Sequence, residues 1–493
     1  MMKRIFIAAF LIASFFAKAQ NNILLNGNFW KENPSLSLVQ DQIAKGNNPS
    51  EANGGNHDVV SMAINNGADL EVIKFLINQP GNAVSKTTHD GRLYIHWAAS
   101  KGNVELVKYL IEQGSDINRT DDKGATPVAF AASNGQKNTD VYELFFNAGI
   151  KPTQKYNGGA TVLMLAIPQD QDLKLKEYFI SKGLNIKDTD DLGRTAFDYA
   201  ARNGNIEIMN NLLAQGVKPT QNALIFAAQG ARFHNNNLET FEYLVNKAKV
   251  KPKAVGENGE TVLHHLAKKP NQQEIIAYFI TKKVDVNAVD KAGDNVLMVA
   301  AGAKDLATVQ QILARTKNIN AANNKGETAL YAAVQKSTPE VITFLIEKGA
   351  NADVVTKDGN LAFALVQAYQ KPRPGQNSDE FVQKLNILKN QGVDFTATLA
   401  DGSSLYHAAV VKNDMELLKM LEGFQIDINA KDDQGLTPIH KAAMMGQNDS
   451  ILKYLLAHGA KKDVLTDFDE TVYDIASENE SFKANNVNIE FLK

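Results

Sequence analysis

Apolar residues along this chain recur in two short helical periods, separated by glycine and repeated many times. In "NVELVKYLIEQG" Val104, Val107, Leu110 and Ile111 fall on one face of a helix. Asn103 suits its N-cap, and Glu105 complements the positive end of the helix dipole. A thinner helix precedes each amphipathic one. In "GLTPIHKAAMMG" the Thr437 hydroxyl is placed to cap free amides, Pro438 fits the first helical position, and Ala442-Ala443 lets a neighbouring helix approach closely. Gly446, like Gly102, Gly135 and Gly204, suits a left-handed residue that ends the helix. Thr338-Pro339-Glu340 repeats the cap-then-proline start in a second helix. The stretch "GSDINRTDDKG" then reads as an extended turn or hairpin.

The pattern has a fixed period. Gly91 to Gly124, Gly293 to Gly326, Gly326 to Gly359 and Gly402 to Gly435 are each 33 residues apart. A helix pair of this size cannot bury its apolar face alone, so it must stack on its neighbours. With "GLTPIHKAAMMGQNDSILKYLLAHGA" and "GRLYIHWAASKGNVELVKYLIEQGSDIN", the chain resembles the ankyrin-repeat family. That implies an all-α repeat solenoid of about thirteen helix-turn-helix units with short hairpin or turn connections. Matching units run from His57 to Ser477. The expected organisation is a leader over 1–19, a leading half-repeat and cap over 20–56, repeats over 57–257 and 258–477, and a C-terminal cap over 478–493.

Departures from the period are also visible. The Gly359-to-Gly402 interval is 43 residues, with an insertion over 367–380, and "GARFHNNN" interrupts a degenerate unit that begins at Asn222. Pro152 and Pro219 remove backbone donors from two hairpins, which should shorten them. The array is expected to bend or split near residues 222–257.

Chemistry is sparse. A catalytic motif usually occurs once, whereas relatives of the His440 segment recur throughout. No phosphate loop, zinc-protease helix or hydrolase elbow is present in sequence, and there is no cysteine for thiol or iron–sulfur chemistry. No enzyme activity, cofactor or metal is therefore expected. His264-His265 carries a metal reading, but adjacent helical side chains point about 100° apart. The family resemblance implies that His96, His264, His407 and His440 hydrogen-bond between neighbouring turns. Trp97 is expected to pack against the adjacent helix, with lining of the inner face as the alternative, and Trp30 to cap the N-terminal end.

Formal charge is -3 with both signs interspersed, which gives no electrostatic reason for a nucleic-acid or membrane partner. "MMKRIFIAAFLIASFFAKAQ" has the basic start, short apolar run and Ala-Lys-Ala site of a secretory signal, so a periplasmic protein is expected, with the medium as alternative and no membrane insertion after cleavage. The family resemblance implies a scaffold with a protein partner on its concave side, and a monomer is expected. By position the candidates are His89, Asp90, Arg92, Lys101, Asp122, Lys123, Asn134, Arg194 and Arg202. Tyr369, Lys371 and Arg373 are candidates if the insertion binds instead. A structural spacer held by an uncleaved leader is the alternative function.

Overall fold

The structure, a computed structural model, describes residues 22–231, 234–372 and 379–493. The leader over 1–19 and the candidate Arg373 lie outside the described residues. Packing divides the chain into two compact units, the first ending at Ala223 and the second beginning at Leu224. The boundary falls at the start of the stretch expected to bend or split.

In the first unit, short helices alternate with amphipathic ones: Val59–Asn65 with Leu70–Ile77, Tyr94–Lys101 with Val104–Glu112, Pro127–Ser133 with Thr139–Asn147, and Ala196–Ala201 with Ile206–Ala214. The short helices stack on one another through alanine. Ala98, Ala99, Ala131 and Ala132 have no exposure, so nothing larger would fit between those helices. Leu106, Val107 and Leu110 face inward from the amphipathic partner, each worth about 1.5–3 kcal/mol of burial. Trp30 closes the N-terminal end with its indole N–H donating to the Leu24 carbonyl at 2.7 Å.

The second unit repeats this plan with Val262–Leu266 and Gln273–Thr281, Val296–Ala301 and Leu306–Leu313, Ala329–Lys336 and Pro339–Glu347, and Pro438–Met445 with Ser450–Ala457. Its last pair is Val472–Glu478 and Glu480–Ala484.

The connections are mostly tight turns rather than hairpins. Among the described residues only Val355–Thr356 and Gly359–Asn360 form a ladder, and elsewhere single bridges such as Val289↔Asn295 close the turn. The turns are tied to one another by backbone bonds one repeat apart: Asp122 N–H donates to Asp90 at 2.9 Å, Asn324 to Ala292 at 3.0 Å, and Asp433 to Asp401 at 2.7 Å. The glycine beside each tip makes this approach possible. Gly402 has φ of 81°, and a Cβ there would lie 2.7 Å from the Lys431 carbonyl oxygen.

Three local expectations are corrected. Gly446 is extended, with φ of -65°, and its need for glycine is steric: a Cβ would sit 2.7 Å from the Phe482 ring. Gly102, Gly135 and Gly204 do take positive φ. Pro152 leaves its turn intact, because it precedes the Lys155↔Thr161 bridge and no donor is needed at its position. After Pro219 the turn is lost, since the next helix starts at Asn222. Finally, the Thr437 hydroxyl does not cap an amide. It lies 2.8 Å from His440 Nδ1, which itself accepts the Thr437 N–H at 3.1 Å. Where the histidine is absent the hydroxyl resumes the expected role, as Thr328 does toward the Tyr331 amide at 3.2 Å.

Candidate interaction surface

The repeated histidine links one repeat to the next. His96 is fully buried, its Nδ1 accepts the Leu93 N–H at 3.2 Å, and its Nε2–H donates to the Ala125 carbonyl at 3.2 Å. His264 reaches Asp294 O at 3.1 Å, His407 reaches Leu436 O at 3.0 Å, and His440 reaches Val464 O at 3.1 Å. A carbonyl can only accept, so the ring is protonated at Nε2, and Nδ1 is left free to cap. Burial lowers all four rings below the usual imidazole range, His96 to about 4. His265 points away from His264 to the Glu260 carboxylate at 3.5 Å, and burial lowers it to about 4. Among the described residues no three His, Asp or Glu side chains converge to hold a metal.

Two repeats replace the histidine with aspartate, Asp474 in the last pair of helices and, in the first unit, Asp198. Asp198 faces the site where the following turn is missing. It accepts from the Thr195 N–H at 2.9 Å, the Thr220 N–H at 2.8 Å and the Thr220 hydroxyl at 2.8 Å. With donors rather than a carbonyl across the junction, an acceptor is the matching side chain.

Several sequence candidates converge on one cluster at the turns of the first unit. The Arg92 Nε–H donates to Asp121 at 2.9 Å, while Nη1 lies 3.0 Å from Asp90 Oδ2. The guanidinium covers Phe130 at 4.3 Å and Trp97 at 5.0 Å from the ring centroids. Trp97 packs edge-on against Phe130 at 5.6 Å and donates its N–H to the Thr88 hydroxyl at 2.9 Å. Lys123 reaches Asp90 at 2.5 Å, and hydrogen bonding to that lysine holds the Asp90 carboxyl below its ordinary range. His89 contacts the Gly55 carbonyl at 2.7 Å and stacks on His57 at 4.4 Å. Burial, with His89 and Arg92 nearby, lowers His57. Arg92 is thus an interior residue, only 6% exposed, that binds two repeats together.

The remaining candidates are dispersed. Asp122, Lys101 and Asn134 are exposed, and the Asn134 amide donates to the Phe130 carbonyl at 2.7 Å. Arg194 pairs with Asp190, which also accepts from the Tyr199 hydroxyl at 2.8 Å. Arg202 is half-buried near Arg194 and Tyr199. At the root of the insertion, Tyr369 is buried edge-on against Phe381 at 5.0 Å, and Lys371 lies 3.6 Å from Asp414. Tyr369 is thus part of the interior, while Lys371 stays exposed.

A feature that the sequence did not single out lies in the second unit. Between the repeats that begin at Gly293 and Gly326 there is a groove of about 320 Å³. Its floor is Met298, Val299 and Ala332 beside Gly302 and Ala303, on the stacked first helices. Asp290, Asp294 and Glu327 form the wall on the turn side, while Lys268 and Lys336 stand on the other. The Asn323 amide donates to Asp294 at 2.7 Å and to Glu327 at 2.8 Å, fixing both carboxylates. Among the described residues these five charges have no ion-pair partner within 4.0 Å, unlike Asp432, which meets Lys441 at 2.7 Å. The signal available in sequence was the small residues Val299 and Ala332 at a repeat position that holds rings elsewhere, as Trp97, Phe130 and Tyr199.

A stack of two-helix units locked turn to turn by glycine, a register histidine and backbone bonds defines a helical repeat array. Ankyrin-repeat profiles match residues 60–156, 129–223, 224–323 and 267–358 in three-copy form, and 406–456 in a many-copy form. The chain belongs to the ankyrin-repeat family. It is 22% identical over 413 residues to human transient receptor potential cation channel subfamily A member 1, covering 79% of this chain and 35% of the channel protein. A putative ankyrin repeat protein of Rickettsia felis is 24% identical over 288 residues, 58% of this chain and 70% of that protein. The chicken nuclear factor NF-kappa-B p105 subunit is 29% identical over 194 residues, 38% of this chain and 18% of that subunit. The chain therefore spans about a third or less of the length of the channel and the p105 subunit.

Proposed function

We propose that this protein is a non-catalytic, exported ankyrin scaffold that binds or inhibits a protein partner in the cell envelope. It acts as a monomer in the periplasm. The observation that carries the binding role is the groove between the Gly293 and Gly326 repeats. Fixed carboxylates and lysines face a cavity there and lack internal counter-charges, a state that costs little only in water or against a partner. Export rests on the basic and apolar leader ending in Ala-Lys-Ala.

The test is cross-linking of the chain in envelope extract, followed by intact mass of the recovered protein. Loss of the segment through Ala19 together with one dominant cross-linked protein supports the proposal. An uncleaved leader and no cross-linked protein favours a structural spacer. Deleting 367–380 in parallel asks whether the insertion contributes to capture.

A further inference from the structure

The two units hold the same inter-repeat position in opposite states, and the filled copy shows what the open copy can accept. Counting from the helix starts, Trp97 and Phe130 in the first unit correspond to Val299 and Ala332 in the second. Arg92 corresponds to Asp294, and its partner Asp121 to Asn323, so that the pair joining the two repeats is conserved in place but exchanged in role. In the first unit the space over the first helices is taken by two rings and a guanidinium from the protein itself. In the second unit that space is the groove, and the side chains at its rim are carboxylates.

We propose, building on the scaffold reading, that this groove receives an arginine-bearing segment of the protein partner. The guanidinium lies between Asp294 and Glu327, its aliphatic stem crosses Val299 and Ala332, and a carboxylate of the same segment faces Lys268 and Lys336. Arginine fits because two carboxylates held by one amide present oxygens to a planar, multi-donor cation. Its stem also covers small apolar residues that a compact, strongly hydrated cation would leave wet. The acid-to-lysine polarity of the groove sets the direction of the bound segment, since the reverse orientation places like charges together.

Met298 lies on the groove floor, so its methyl group reports occupancy. The experiment is a methyl NMR titration of the methionine-labelled full chain with acetyl-Arg-Ala-Ala-Asp-amide, with peptides carrying Gln for Arg or Asn for Asp alongside. The Arg peptide should shift the Met298 signal saturably, the Gln peptide should bind about tenfold more weakly, and Glu327→Gln with Asp294→Asn should abolish the difference. A groove-filling variant, Val299→Trp with Ala332→Phe, should show the native circular dichroism and no peptide-induced shift. Equal shifts from the Arg and Gln peptides, or none from any of them, overturn the proposal. So does a cross-linked partner that the groove-filling variant captures as well as the native chain, a result that leaves the scaffold reading standing.

Discussion

The repeat pairs that start at Gly91 and Gly293 share a backbone plan yet use one junction in contrary ways. At the first, Arg92 joins Asp121 and Asp90 and covers Trp97 and Phe130, so the protein's own cation and rings occupy the junction. At the second, Asn323 ties Asp294 to Glu327 over Val299 and Ala332, and a groove of about 320 Å³ remains. Charge at a turn therefore does not by itself mark an interaction surface. What separates the two is whether the opposite charge and the bulk come from the same chain.

The sharpest way to break this contrast is Arg92→Ala. Asp121 is 5% exposed and would lose its cation in the interior, while both rings lose the group above them. Stranding one member of a buried pair costs about 3–5 kcal/mol, against about 1.5–3 kcal/mol for Asp294→Ala, which gives up a single hydrogen bond to a half-exposed carboxylate. Urea denaturation of both variants checks this, and equal losses would mean that the Arg92 cluster does not fasten the repeats.

Acid should separate the units next. A buried neutral histidine binds its proton less readily than it does in the unfolded chain, so stability is complete above about 6.5 and falls as pH drops toward the folded value. For His96, lowered to about 4, the linked loss is on the order of 3 kcal/mol. The second unit holds four such histidines, His264, His265, His407 and His440. The first holds His96 and His57 and, at the position equivalent to His96, Asp198, whose burial raises its carboxyl and gives the opposite sign: the folded form binds the proton more readily, and acid favours it. Both tryptophans, Trp30 and Trp97, lie in the first unit, so fluorescence follows that unit while circular dichroism follows the whole chain. Between pH 7 and 5 the midpoint seen by circular dichroism should fall further. Equal falls would sink the assignment of acid sensitivity to the histidine positions.

The fold was legible because it is local and periodic. Glycine spacing, alanine pairs and the recurring histidine each mark a constraint that returns at the same position in repeat after repeat, so its recurrence is visible in sequence even though it acts between neighbours. The junctions were harder to read because their partners lie one repeat away. Arg92 resembled a surface charge until Asp121, 29 residues on, was seen to take it. Gly446 resembled a left-handed helix terminator, yet it is extended, and a Cβ there would meet both the Ala442 carbonyl of its own helix and the Phe482 ring of the next repeat at 2.7 Å. The groove is a missing volume, and missing volume is visible in sequence only when equivalent positions of distant repeats are compared. Arg373 and the leader lie outside the described residues and stay at the level of sequence.

The smallest expected effect is also the most discriminating for the comparison, because it asks whether the groove is a defect of packing or an open site. Ala332→Phe restores the ring that the first unit carries at Phe130. If the cavity were a flaw, filling it would bury new apolar area and raise stability by about 1–2 kcal/mol. An open, water-accessible groove gains less, since the ring stays partly wetted and lies beside the fixed carboxylates of Asp294 and Glu327. The change is therefore expected within about 0.5 kcal/mol of zero, the range of a surface substitution. Thermal unfolding of the native chain and the variant measures this directly. A rise well beyond that range would show that the second unit is underpacked at this junction, and the distinction between a closed and an open copy would then rest on the charges alone.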